Sequence, residues 1–154
     1  MLSMALLSSC VPIKYATTDF TAPIVKTYDI SGTKDELYLK SNLWMVSTFK
    51  DARSVIQYSD KTEGIITGKY LLHHYRNPYS GIEDLMYAII EIRTKDGRVR
   101  ISVNPDNWKY MVSDIYERTV AGSDYNYTKE MALNDIGALC ESYQKSLQTE
   151  GVKF

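Results

Sequence analysis

Four cations crowd one short stretch of this chain. Arg93 and Lys95 precede Asp96-Gly97, and Arg98 and Arg100 follow it. Asp-Gly flanked by alternating residues is a strong hairpin signal, because the tight turn that suits twisted strands needs positive φ angles. A two-residue turn there places Lys95 opposite Arg98 and Arg93 opposite Arg100. Like charges directly across a strand pair repel, so the arrangement calls for an offset. Two readings stand. Glu91, diagonal to Arg100, neutralises the pair from within, or an acidic ligand or partner does so from outside. The second has chemistry behind it, since a guanidinium meets a carboxylate or phosphate with paired hydrogen bonds.

A different chemistry is written at the start. MLSMALLSSC is apolar, then small, then cysteine, the order in which secretory signals end. Leu7-Ser8-Ser9-Cys10 resembles a bacterial lipobox, whose cysteine is acylated and becomes the first mature residue. No Lys or Arg precedes the apolar run, so the natural start is expected upstream, or the chain is trimmed. On this basis residues 1–9 are the remnant of a signal peptide and residues 10–22 a lipidated cysteine and tether, ahead of one domain over residues 23–150. Acyl chains supply attachment energy of about 0.8 kcal/mol per buried CH₂. The expected location is therefore the cell envelope, with the chain lipid-anchored to the outer membrane and either face open.

Other reactive residues form no constellation. His73 and His74 are adjacent, and on a strand adjacent side chains point to opposite faces. With no third histidine and no cysteine cluster, no metal and no cofactor are expected. Cys140 lies on an apolar helical stripe and reads as a small buried thiol rather than a nucleophile. Asp114 and Glu117 are spaced like acid–base partners on a helix, but a solvated face explains them as well. Phosphate-binding, dinucleotide-binding and nucleophile-elbow motifs are missing. The expectation is a protein that is not an enzyme.

The bulk composition agrees with a soluble domain that binds something other than nucleic acid. The chain has 154 residues, 44% hydrophobic and 24% charged, with a net charge of −1. That length buries a substantial core, and the near-neutral charge lacks the basic footprint of a nucleic-acid binder. Tyrosine is abundant, 13 against 3 phenylalanines, which suits half-buried sheets and binding surfaces.

The elements that must position these residues can be read in order. PIVKTYDI at 23–30 alternates and is β-branched, so it is a strand. Thr33 and Glu36 form a capping box for a helix to about Phe49. Leu37, Tyr38, Ser41, Trp44, Met45, Thr48 and Phe49 share its core face, whereas Leu39, Leu43 and Val46 form a second apolar stripe with no evident partner. Residues 53–58, 64–75, 85–94 and 98–104 read as four further strands. Residues 105–127 admit either a short helix around Trp108 or a strand from Lys109, followed by a loop. A last helix begins near Thr128, with Ala132, Ile136, Leu139, Cys140, Tyr143 and Leu147 inward. The order β-α-β-β-β-β-α predicts an α+β fold, one antiparallel sheet with both helices on one face. The other face then carries Tyr87, Arg93, Arg98 and Arg100, which with Trp108 are the candidate binding residues.

The stretch from Thr33 to Tyr70, together with KDGRVRISV at 95–103, resembles a lipoprotein domain of unknown function from gut-dwelling Gram-negative bacteria. The features shared are Leu37, Tyr38 and Trp44, the exit Phe49-Lys50-Asp51-Ala52, Val55-Ile56, Gly64, Gly68 and Asp96-Gly97-Arg98. The resemblance implies a fold like that of the TATA-box-binding protein and an envelope location, and it carries no catalytic residues. Fold does not transfer function, and the neutral charge argues against DNA. Two functions compete: a tethered module that binds an envelope protein or glycan, and an assembly component that meets a neighbour through Leu39, Leu43 and Val46.

Overall fold

Asp96-Gly97 does turn the chain, with Gly97 at φ 72°, between strand β5 (Glu83–Lys95) and strand β6 (Arg98–Pro105). The turn fixes the register. Lys95 pairs with Arg98, Arg93 with Arg100, Ile92 with Ile101 and Ile90 with Val103. The same turn docks on the loop before the first helix. Gly97 N–H donates to the Gly32 carbonyl at 2.9 Å, and Ile30 N–H to the Gly97 carbonyl at 3.0 Å. The Asp96 carboxylate accepts from Lys34 N–H at 2.7 Å, satisfying a helix-start amide that would otherwise lack a partner.

The structure, a computed structural model, describes residues 16–19, 22–51, 55–81, 83–106, 109–112, 117–120 and 127–148. The remaining strands are β1 (Ala16–Asp19), β2 (Ile24–Asp29), β3 (Ile56–Asp60), β4 (Ile65–Arg76), β7 (Lys109–Val112) and β8 (Glu117–Val120). Helix α1 spans Lys34–Thr48 and helix α2 spans Lys129–Gln148. The main sheet is antiparallel with strand order β2-β6-β5-β4-β3. Within it the chain order is β-α-β-β-β-β-α, as expected.

Helix α1 starts on its capping box. Thr33 N–H donates to Glu36 Oε2 at 2.8 Å and Glu36 N–H to Thr33 Oγ1 at 3.3 Å. Its buried residues are Leu37, Tyr38, Ser41, Trp44 and Met45. Thr48 departs from the expected face and is exposed. It is the last helical residue, and the extended Phe49 that follows closes that end of the core instead, 6.1 Å from the Trp44 ring and 5.3 Å from the Tyr70 ring. Helix α2 buries Ala132, Ile136, Cys140, Tyr143 and Leu147. The helices meet through the Tyr143 and Ser41 hydroxyls, 2.7 Å apart. Ser41 spends its own hydrogen on the Leu37 carbonyl, so Tyr143 is the donor. Both helices pack with Ile66, Tyr70, Ala88, Ile90, Ile92, Val99, Ile101 and Val103 in one core, which covers one face of the sheet.

One expectation is corrected and one open choice is resolved. Residues 16–19, read as tether, form β1 and pair with β7, Ala16 opposite Val112 and Asp19 opposite Lys109. Of the two readings left open for residues 105–127, the strand holds where the chain is described: β7 pairs with β8, and the three strands form a separate sheet of order β1-β7-β8. Such short strands lack a periodicity of their own, and a partner some 90 residues away leaves no local trace. The second strand of the main sheet starts at Ile56 rather than residue 53, and residues 52–54 lie outside the described residues. Cys10, Trp108 and Asp114 also lie outside them.

Candidate binding site

Because side chains alternate along a strand, burying Ile90, Ile92, Val99 and Ile101 puts Glu91, Arg93, Arg98 and Arg100 on the opposite face. Neighbouring strands extend the rows. One row runs Thr27, Arg100, Arg93 and Ile65; the next runs Asp29, Arg98 and Lys95. The four cations and Thr27 rim a hollow of about 410 Å³, with Glu63 from the β3–β4 turn at its far side. Arg93, Lys95, Arg98 and Arg100 are all exposed.

The repulsion between Arg93 and Arg100 has an internal answer, but an incomplete one. Arg93 donates twice to Glu91, at 2.7 and 3.1 Å. Arg100 reaches the same carboxylate only at 4.0 Å. The hydrogen bonds from Arg93 hold the Glu91 carboxyl below the usual carboxylate range, aided by the charges of Arg93 and Arg100 and opposed by partial burial. Arg98 pairs with Asp29 at 2.5 Å. Among the described residues Lys95 makes no ion pair. Four cations thus face three carboxylates, Glu63, Glu91 and Asp29, with Arg100 loosely held.

Sequence reasoning grouped Tyr87 with these residues. The structure separates it. Tyr87 shares their face but stands six residues from Arg93 along β5, roughly 20 Å away at the usual rise per residue. Lys69 sits over its ring at 4.8 Å and pairs with Asp106 at 2.6 Å. Thr27 and Glu63 were missed, because only the strand order brings them to the hollow. The signal for Thr27 was the alternation of residues 23–30; nothing in it named β6 as neighbour.

The remaining reactive groups do not assemble. His73 stacks on Tyr127, rings 3.9 Å apart and 7° from parallel, while His74 lies 3.8 Å from Glu83. A one-residue register shift between Leu71 and His73 sets His73 opposite the buried Met86 and His74 opposite Leu85, so the imidazoles diverge. Among the described residues no three His, Cys, Asp or Glu side chains cluster as metal ligands. Burial pushes the Cys140 thiol up, away from the reactive thiolate form. Tyr127 donates to Asp135 at 2.6 Å, and the Tyr70 hydroxyl is buried with no hydrogen-bond partner among the described residues. No described helix is long and apolar enough to cross a membrane.

Comparison with known proteins fits this architecture. Residues 26–105 match a domain of unknown function (DUF4468) with TBP-like fold. A crystal structure of a DUF4468 family protein from Bacteroides ovatus aligns with a TM-score of 0.56 at 12% identity, over 91% of this chain and 94% of that one. A crystal structure of a TBP-like protein from Parabacteroides distasonis aligns with a TM-score of 0.53 at 12% identity, over 86% of this chain and 97% of that one. At that identity the likeness concerns the fold. No curated protein matches the chain. The family match spans more than half of the residues, and the chain belongs to the DUF4468 family.

Proposed function

We propose, starting from membership of this family, that the protein is a non-enzymatic binding module of the cell envelope, anchored by lipid at Cys10, whose open sheet face takes an acidic partner. The observation that carries the reading is the cationic hollow of Arg93, Lys95, Arg98 and Arg100 on the face that no described helix covers. A purely structural cluster would be neutralised where it stands, whereas among the described residues Lys95 pairs with no carboxylate and Arg100 with a distant one. The envelope location rests on Leu7-Ser8-Ser9-Cys10. An envelope protein or an acidic glycan fits the face; nucleic acid does not fit a chain of net charge −1.

The test is capture from envelope extract by the wild type and by the double variant Arg93→Thr, Arg100→Thr, with a melting curve for each. Partners lost by a variant that melts like the wild type support the reading. Identical partner lists reject it. A second reading, assembly through α1, rests on Leu39, Leu43 and Val46, which are 59%, 59% and 53% exposed. Light scattering over a concentration series separates the two, since a strictly monomeric domain removes self-assembly as the role of that stripe.

A further inference from the structure

The main sheet has two edges, and they differ. Strand β3 is short and its register shifts between Ile56 and Tyr58, a common way to blunt an edge. Strand β2 is regular, with six consecutive pairs to β6 and no proline between Ile24 and Asp29. Its hydrogen-bonding phase follows from the hairpin. Lys95 and Arg98 flank the two-residue turn and bond to each other, and the alternation of antiparallel ladders then passes across the sheet. Ile24, Lys26 and Tyr28 therefore turn their backbone groups to β6, in keeping with the bond from Ile30 N–H to the Gly97 carbonyl. Val25, Thr27 and Asp29 turn theirs outward. Among the described residues no strand or backbone hydrogen bond meets them on that side. Val25, Thr27 and Asp29 are exposed as well.

We propose that β2 is a docking edge for an extended acidic polypeptide segment, which adds as a sixth strand and directs a carboxylate across Thr27 toward Arg100. The proposal rests on the open-face reading and names its partner. An added strand lies about 4.8 Å beyond β2, and its residue opposite Thr27 shares the face of the cationic hollow, which Thr27 itself lines. Thr27 is short, so a glutamate can reach over it to the long side chain of Arg100. Opposite Val25 the exposed apolar surface favours a valine or similar residue. Main-chain bonds would supply affinity and the alternate side chains specificity. A second copy of this chain is the poorer occupant, because pairing through the same edge brings a second set of Arg98 and Arg100 to the seam instead of carboxylates.

The experiment uses a labelled, end-capped peptide, Thr-Glu-Thr-Val-Thr-Glu-Thr-Val, in fluorescence anisotropy with the whole domain. Its counterpart has lysine for glutamate. Two further versions carry N-methyl groups on alternate amides, one in each phase. Thr27→Pro removes an outward N–H and leaves the β6 ladder intact. The expected results are tenfold or greater weakening with the lysine peptide, with Arg100→Glu, with Thr27→Pro and with one N-methyl phase only. If Thr27→Pro fails to fold, the two N-methyl phases decide. Binding lost with Arg100→Glu but indifferent to Thr27→Pro and to both N-methyl phases overturns edge docking and leaves the open-face reading standing. Absence of binding, or binding no tighter than that of the lysine peptide, overturns the acidic partner. A wild-type dimer dissolved by Thr27→Pro gives the edge to a second copy and overturns the proposal.

Discussion

Replacing Trp44 with alanine removes the ring that joins α1 to α2 and to the sheet. Trp44 is 3% exposed. Its ring lies 4.8 Å from that of Tyr143 and 6.1 Å from that of Phe49, and its Nε1–H donates to Ser142 Oγ at 3.2 Å. Truncating a buried tryptophan costs about 3–5 kcal/mol. The lost hydrogen bond adds little, because Ser142 is at the surface and its hydroxyl returns to water. With an unfolding entropy of about 2.1 cal/mol/K per residue, a domain of this size loses roughly 15 °C in Tm for 4 kcal/mol. A urea titration checks the same quantity: the midpoint falls by about 2 M if the slope is near 2 kcal/mol/M, and the slope stays fixed. The control is Leu43→Ala, one residue earlier on the same helix and 59% exposed, for which about 0.5 kcal/mol is the ceiling. Equal losses for the two variants, or an unchanged midpoint for Trp44→Ala, would refute the assignment of the buried face.

Gly64→Ala should destabilise by roughly 2 kcal/mol or more, because Gly64 sits at φ +68° and a Cβ there would lie 2.5 Å from the Thr94 carbonyl oxygen. A melting curve like the wild type's would show that this approach relaxes without cost. Burial foremost pushes the Tyr70, Tyr127 and Tyr143 phenols up. Each neutral phenol therefore contributes stability that is complete below the ordinary value of about 10 and drains away as pH rises above it, since the unfolded chain releases those protons first. Phenolate absorbance should show three of the 13 tyrosines ionising only together with unfolding; a single native titration of all would contradict it. Cys10→Ala, expressed in a Gram-negative host with the natural upstream sequence, should move the protein from the detergent phase to the aqueous phase, and an unchanged partition rejects the lipid anchor.

What could be read from the residues alone was whatever a local rule determines. The two-residue turn at Asp96-Gly97 sets every β5–β6 pair, because a slip of one residue would turn Ile90 and Ile92 out to solvent. The Thr33–Glu36 box fixes where α1 begins, and helical spacing marks Trp44 and Met45 as buried and Leu39 and Leu43 as exposed. Ala16–Asp19 obeys no such rule. ATTD carries no apolar alternation, and it becomes a strand through pairing with β7. The hollow was half legible for the same reason. Arg93, Lys95, Arg98 and Arg100 belong to one hairpin, whereas Thr27 and Glu63 arrive from strands whose neighbours are set by the whole sheet.

The internal offset differs from one cation to the next. Glu91 accepts two hydrogen bonds from Arg93 and none from Arg100, which only approaches it at 4.0 Å. A ligand carboxylate at Arg93 would have to displace a bidentate pair, whereas at Arg100 it would add a contact that the fold leaves unmade. Of the two arginines on β6, the strand beside β2 and its outward-facing edge, Arg98 is already held by Asp29, which leaves Arg100. Charge and topology therefore single out the same side chain. On this argument Arg100→Thr weakens an acidic partner more than Arg93→Thr does, and the reverse order would mean that Glu91 yields its place to the ligand.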